Sequence, residues 1–126
     1  LYLMLKRRKH WHGWEFVKGG VEKNEGEINA ARREVKEEGG YKCLNIKKFN
    51  FFGKYRYRKV FNDRPGFIGQ TYRLFSSEIK YGKVKIDKNE HSEYSWLDYD
   101  KAYKLLTHKN QKKCLKIVNS YLKNGL

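Results

Sequence analysis

Cysteine, proline and acidic residues are all scarce in this sequence, and each shortage excludes a class of protein. The 126 residues include one proline and two cysteines, Cys43 and Cys114, which lie far apart. They form no Cys-x-x-Cys pattern, so we expect neither a disulfide scaffold nor a zinc site, and we expect a reducing cytoplasmic setting. No apolar stretch approaches the roughly 18 residues that a membrane-spanning helix needs, so we expect no membrane association through such a helix.

Positive charge dominates the composition. Lysine and arginine total 29 against 14 acidic residues, which gives a formal net charge of +15. Such a field attracts polyanions, including nucleotides and RNA, although a lysine-rich proteome would produce the same excess.

The length predicts a single domain over residues 1–126, which we expect to be a monomer. Aromatic residues make up 16% of the chain, which argues against disorder.

The acidic residues are concentrated in one short segment. Seven of the 14 lie between Glu15 and Glu38. Like charges at this density repel one another unless positive charge lies among them. The positive charge can come from a bound divalent cation. It can also come from Arg32, Arg33 and Lys36 on a solvated helix face.

Hydrophobic periodicity predicts a layered α/β domain. Apolar residues at spacings of three and four predict a helix over 27–38, which Gly39-Gly40 ends. Alternation predicts a strand over 49–57, followed by a turn at 62–66 and a returning strand over 67–75. Other strands are predicted at 1–5, 14–17 and 94–97, and further helices are predicted up to 106, capped by Asp98 or Asp100, and over 111–122.

Three glutamates of the predicted helix point to metal chemistry. Glu34, Glu37 and Glu38 stand at i, i+3 and i+4 and therefore share a helix face. Oxygen ligands select Mg²⁺ or Mn²⁺, and the Gly19-Gly20 turn can lend a backbone carbonyl to the same ion. The combination indicates metal-assisted attack of water on a polyphosphate, whereas helix composition alone favours an ordinary glutamate-rich helix.

The same segment resembles the Nudix box, Gly-x5-Glu-x7-Arg-Glu-U-x-Glu-Glu-x-Gly-U, in which U is a bulky apolar residue. The box positions are filled in order by Gly19, Glu25, Arg33, Glu34, Val35, Glu37, Glu38, Gly40 and Tyr41. Tyr41 stands where an aliphatic residue is usual. The resemblance implies a Nudix fold, an α/β/α sandwich around a mixed β-sheet, and a Mg²⁺- or Mn²⁺-dependent hydrolase of nucleoside diphosphates linked to another moiety.

The resemblance also implies residue roles. Four residues would hold the metal, namely Glu34, Glu37, Glu38 and the carbonyl of Lys18. Glu34 would also orient or deprotonate the attacking water, and Arg33 would hold Glu34 in place. Glu25 would support the junction of loop and helix, while Gly19 and Gly40 are structural positions of the motif.

Two flanking segments look like those of the asymmetrical diadenosine tetraphosphate hydrolases. The run from Trp14 to Glu22 resembles their Trp-x-Phe-Pro-Lys-Gly-x-Val-Glu, with Val17 in place of proline, and 90–97 resembles their Glu-His-x-x-Tyr-x-Trp-Leu. The likeness implies that Glu90 serves the metal or the attacking water, with Glu93 as the second choice. A surface glutamate at a strand start is the structural alternative.

Substrate contacts are harder to assign. The resemblance places Tyr72 near the adenine, although a core tyrosine fits equally well, and Lys18 among the substrate contacts. Lys54 and Arg56 lie on a basic strand face that either steers phosphates or is simply solvated. An RNA 5′-pyrophosphohydrolase, a MutT-like nucleoside triphosphate pyrophosphohydrolase and a non-enzymatic nucleotide-binding module are the alternatives to diadenosine tetraphosphate hydrolysis.

Overall fold

The computed structural model describes residues 1–56 and 69–124, with the side chains of 55, 56, 69 and 70 left aside. The expected turn at 62–66 and the adjoining strand ends lie outside these residues. The described elements follow in the order β1 (Tyr2–Arg7), β2 (Gly13–Glu15), α1 (Glu27–Gly39), β3 (Leu44–Arg56), β4 (Gly69–Glu78), β5 (His91–Leu97), α2 (Tyr99–Leu105) and α3 (Lys109–Asn124).

The strands form two antiparallel ladders. β1 is the central strand of the order β2-β1-β5, and β3 pairs with β4. In the first ladder Leu5 lies opposite Glu15 on one side and Tyr94 on the other. This register aligns the ends of β1, β2 and β5, where most of the chemically interesting side chains lie.

The central strand β1 is covered by helices on both faces. Tyr2 and Met4 belong to the apolar core that includes Ala102 of α2 and Leu115 of α3. On the opposite face, Leu3 lies beside the C-terminal end of α1. Side chains alternate between the two faces of a strand, so burial on both faces confirms the expected α/β/α sandwich.

The predicted helices and strands are present, with some bounds shifted. α1 ends as expected, since Gly40 adopts a left-handed conformation (φ 74°) and donates its N–H to the Lys36 carbonyl at 2.8 Å. Asp98, rather than Asp100, caps α2 by accepting the Lys101 N–H at 3.0 Å. β3 begins at Leu44, before the predicted strand. Its pairing with β4 is irregular on both sides of Lys47 and Lys48, so the first half of the strand has no regular alternation from which to predict it. None of the helices in the described part of the chain has the length and apolarity to cross a membrane.

Candidate functional site

A close approach of loop and helix brings the site together. Gly19 lies against the side chain of Glu34, so closely that a Cβ at position 19 would fall within the Glu34 carboxylate. Glycine is the residue that permits this approach. The turn before α1 therefore packs directly on a carboxylate that the motif assigns to metal binding.

Arg33 ties the loop to the helix. Its guanidinium donates to both Glu25 oxygens (2.9 and 3.0 Å) and to the Gly20 carbonyl (2.7 Å) on the loop. On the helix it donates to Glu34 Oε1 at 2.6 Å and to Glu37 Oε2 at 3.2 Å. The hydrogen bonds from Arg33 hold the pKa of Glu25 below its usual range. We call Arg33 and its four partners, Gly20, Glu25, Glu34 and Glu37, the outer clamp.

Glu38 turns away from the outer clamp into the interior. It is 2% exposed, and its Oε2 accepts the backbone N–H of Lys18 at 3.2 Å. Its Oε1 has no hydrogen-bond partner among the described residues and lies 3.7 Å from Nδ1 of His91. Burial, followed by the charges of Glu34, Glu15 and Glu90, raises the pKa of Glu38 to about 9.

Glu34 and Glu90 add to this concentration of carboxylates. Burial raises the pKa of Glu34 despite Arg33, and the charges of Glu37 and Glu90 raise it further. Glu90 precedes β5, and its Oε2 lies 3.9 Å from Nη1 of Arg7. The carboxylates from α1 and from the start of β5 thus repel one another, and a cation among them would remove that repulsion.

Glu93 points elsewhere. Its carboxylate pairs with Lys6 at 3.2 Å, with both side chains well exposed. Glu90, by contrast, acts electrostatically on both Glu34 and Glu38. Of the two candidates on this segment, Glu90 therefore lies nearer to the glutamates of α1.

Two buried residues of this region had no expected role. Glu15 and His91 are both 0% exposed, and His91 Nε2 lies 2.7 Å from Glu15 Oε2. Arg7 (3.3 Å) and the Lys18 ammonium (3.5 Å) complete the surroundings of Glu15. Burial alone would raise the pKa of Glu15, but the His91 hydrogen bond and the charges of Lys18 and Arg7 outweigh it and lower that pKa. We call Glu15, His91, Arg7 and Glu38 the inner network.

The sequence carried a weak signal for the inner network. Glu15 stands among the apolar residues Trp14, Phe16 and Val17 of a predicted strand. If such a carboxylate is buried, it needs a positively charged or hydrogen-bonding partner. His91 directly follows Glu90 in the segment 90–97 that resembles the diadenosine tetraphosphate hydrolases. Neither signal says that the two side chains meet, because they are 76 residues apart in the chain.

The residues present fit a divalent metal. Ligand atoms of Glu15, Glu38 and His91 lie within 4.8 Å of one another. Oε1 of Glu38, Oε1 of Glu15 and Nδ1 of His91 are all buried without a hydrogen-bond partner among the described residues, and such atoms normally have a hydrogen-bond or metal partner. Glu15 Oε1 has the Lys18 ammonium at 3.5 Å, so the oxygen of Glu38 is the one that lacks a cation in the described part of the chain. Carboxylate oxygens suit Mg²⁺ and Mn²⁺, and an imidazole nitrogen is also acceptable to Mn²⁺ or zinc.

The expected substrate contacts are distributed over two regions. Lys18 contacts the site through its backbone N–H, which donates to Glu38. Its ammonium nitrogen lies 5.8 Å from the centre of the Trp11 ring. Tyr72 is on the β3–β4 hairpin, packed over Gly53 and hydrogen-bonded to the Cys114 thiol. Lys54 is exposed on the same hairpin, and the side chain of Arg56 lies outside the described set.

The family can now be assigned from comparison with known proteins. The model of the NUDIX domain matches residues 2–116. The chain belongs to the Nudix family. Its glutamate-rich helix is therefore the Nudix helix, and the protein is an enzyme of the Nudix hydrolase class.

Relatives of this Nudix hydrolase differ in their named substrates. An RNA pyrophosphohydrolase of Bartonella henselae is 26% identical over 125 residues, covering 90% of this chain and 72% of the relative. An asymmetrical bis(5′-nucleosyl)-tetraphosphatase of Sus scrofa is 29% identical over 122 residues, covering 96% of this chain and 80% of the relative. The two matches are similar in identity, so identity alone does not select a substrate.

A solved structure agrees with the fold. The dihydroneopterin triphosphate pyrophosphohydrolase of E. coli superposes with a TM-score of 0.74 at 25% identity, covering 91% of this chain and 82% of that one. The expected Nudix fold is thereby confirmed.

Proposed function

We propose that this Nudix hydrolase cleaves a phosphoanhydride bond of a nucleoside polyphosphate with the help of Mg²⁺ or Mn²⁺. The observation that carries the proposal is the buried, unpartnered Glu38 oxygen, whose carboxylate is repelled by those of Glu34, Glu15 and Glu90. In this proposal Glu34, Glu38 and Glu90 hold the metal, together with the carbonyl of Lys18. Glu37 is 57% exposed and pairs with Arg33, so we place it at the solvent edge of the metal site.

The bound metal would polarise a phosphoryl oxygen and acidify the attacking water. The protein side chains divide the remaining tasks. Arg33 fixes Glu34 at 2.6 Å, so that Glu34 can orient the water, and Glu38 lies too deep to approach it. Glu90, whose side chain is 33% exposed, is the carboxylate we assign to accept the proton of the water.

For the substrate we propose diadenosine tetraphosphate, cleaved asymmetrically to ATP and AMP. Support comes from the Sus scrofa relative, which matches 96% of this chain, and from the segments around Trp14 and Glu90. Lys18, Lys54 and Arg56 would contact the phosphates, and Tyr72 would contact a base. Water attacks the phosphorus attached to one adenosine, so oxygen from solvent should appear in AMP.

RNA 5′-pyrophosphohydrolysis is the second candidate. It is favoured by the name of the Bartonella henselae relative and by the net charge of +15, which suits a polyanion with many phosphates. An RNA-directed enzyme should bind better as the first few nucleotides are added, and should show a steeper loss of affinity with salt. A MutT-like action on nucleoside triphosphates is the third candidate.

The deciding experiment compares initial rates on diadenosine tetraphosphate, 5′-triphosphorylated RNA and nucleoside triphosphates at matched concentrations. We expect diadenosine tetraphosphate to react fastest, with ¹⁸O from labelled water found in AMP. Faster release of phosphate or pyrophosphate from the RNA would replace the proposed substrate. A lack of any metal-dependent hydrolysis across the panel would contradict the proposed function itself.

We also propose that the enzyme acts as a monomer in a reducing cytoplasm. Cys43 and Cys114 are both unpaired thiols and buried. Buried free thiols are typical of a reducing compartment. Sedimentation at several concentrations tests the monomer, and thiol counting in freshly extracted protein tests the redox state.

A further inference from the structure

The inner network connects two proposed metal-site carboxylates that come from different elements. From Glu38, contacts run to His91 (3.7 Å) and on to Glu15 (2.7 Å). From Glu15 they continue through Arg7 (3.3 Å) to Glu90 (3.9 Å). Glu15 therefore lies in the middle of the path that joins Glu38 to Glu90.

Burial of the Glu15 carboxylate costs desolvation free energy. A carboxylate that is 0% exposed loses its hydration, and only paired positive groups compensate for that loss. Here Arg7 and His91 contact Oε2 of Glu15. The Lys18 ammonium lies 3.5 Å from Oε1 of Glu15. A buried ionic cluster of this kind is weak evidence for stability, because apolar residues of the same volume are often as stable or more so. A role in the site accounts for it better.

The orientation of the His91 ring follows from this pairing. Nε2 lies 2.7 Å from a carboxylate oxygen of Glu15, which is a hydrogen-bond acceptor, so the Nε2–H tautomer of the ring fits this contact as the donor. The ring is fully buried and held at one end, which leaves Nδ1 facing Oε1 of Glu38. The Lys18 backbone N–H donates a hydrogen bond to Oε2 of Glu38. Glu38 is thus hydrogen-bonded to the loop and packs against the buried ring, which limits how its carboxylate can turn.

We propose that Glu15 is a positioning residue, which sets Glu38 through His91 and sets Glu90 through Arg7. This inference rests on the proposed metal-dependent function, and it assigns Glu15 and His91 no direct contact with metal or substrate. Carboxylates that orient other metal-site groups are often nearly as important as the ligands, and their loss typically weakens metal binding or activity by about 10- to 100-fold.

The test measures Mn²⁺ binding by EPR without nucleotide, alongside kcat at saturating Mn²⁺. Glu15→Gln keeps the shape of the side chain and removes its charge, and we expect ~10- to 100-fold weaker Mn²⁺ binding with a reduced kcat. Glu93→Gln is the matched control, because it changes an exposed glutamate of the same ladder. That control should bind Mn²⁺ like the wild type.

His91→Gln is the second variant, in case Glu15→Gln does not fold. Its amide can still reach Glu15 but removes the group that faces Glu38, so we expect weaker Mn²⁺ binding with the thermal transition retained. Wild-type Mn²⁺ affinity and kcat in both folded variants would overturn the proposal. So would strong ¹⁴N coupling to Mn²⁺ that disappears in His91→Gln, since His91 would then be a ligand. If the wild type itself binds no Mn²⁺, or Glu38→Gln binds it unchanged, the proposed metal site fails instead.

Discussion

The outer clamp and the inner network both use residues of α1, but they are built in different ways. The outer clamp centres on Arg33, lies near solvent and draws its members from a single segment, 20–37. The inner network centres on Glu15, is buried and gathers residues of β1, β2, α1 and β5. Screening by water and salt weakens contacts of the first kind far more than the second. We therefore expect kcat to fall more when a buried carboxylate of the inner network is replaced than when the Arg33 contacts of the outer clamp are broken.

The largest expected effect is in the inner network. Glu38→Gln replaces a buried carboxylate by a poor metal ligand, and metal stabilisation of the reaction is worth several kcal/mol, so turnover should fall by about 10³-fold or more. Glu34→Gln should be comparably severe, because Glu34 belongs to the proposed metal site as well as to the outer clamp. Steady-state rates with saturating Mn²⁺ measure the loss, and circular dichroism should show an intact fold. Near-normal turnover of Glu38→Gln would sink the active-site assignment.

Next in size is the contribution of Glu90. Glu90→Gln should lower kcat by roughly 10²-fold, the scale of one general base. Glu93→Gln should cost much less, because its carboxylate is exposed and pairs with Lys6. Parallel kinetics of the two variants provide the comparison. If the order is reversed, Glu93 rather than Glu90 completes the site.

Breaking the outer clamp should have a milder effect. Arg33→Ala should reduce kcat by about tenfold, because Glu34 loses its partner while remaining a carboxylate. Arg33→Lys should recover little, since a single ammonium cannot match the planar donors that reach Glu25, Glu34 and Gly20 together. The measurement is kcat as a function of Mn²⁺ concentration. A loss as great as that of Glu38→Gln would erase the distinction between the inner network and the outer clamp.

The smallest expected effect is on thermal stability. The pKa of Glu38 is raised to about 9, so the folded state without metal binds a proton that the unfolded state releases above its ordinary pKa. This stabilisation is present at low pH and is lost as pH rises towards 9. Metal binding needs the ionised group, so added Mg²⁺ should raise the melting temperature more at pH 8.5 than at pH 6. Scanning fluorimetry measures both, and Glu38→Gln should remove the difference.

Sequence reasoning reached the outer clamp because that structure is local. The spacing of Glu34 and Glu37 along a helix fixes which side chains meet, and the Nudix pattern supplied the role of Arg33. The contact between Glu15 and His91 was missed because nothing in the local pattern says that these residues of β2 and β5 meet across the central strand β1. Only the register that sets Leu5 between Glu15 and Tyr94 brings their strands together. The first half of β3 was missed for a related reason, since an irregular register masks its alternation.

The division of the strands into two ladders has an evolutionary consequence. The proposed metal carboxylates stand on α1 and beside the β2-β1-β5 ladder, whereas Tyr72 and Lys54 stand on the β3–β4 hairpin. Among the described residues, the hairpin shares no backbone pairing with the strands β1, β2 and β5. If the proposed roles hold, a lineage can therefore change the substrate it recognises through the hairpin while the residues of its metal site stay the same.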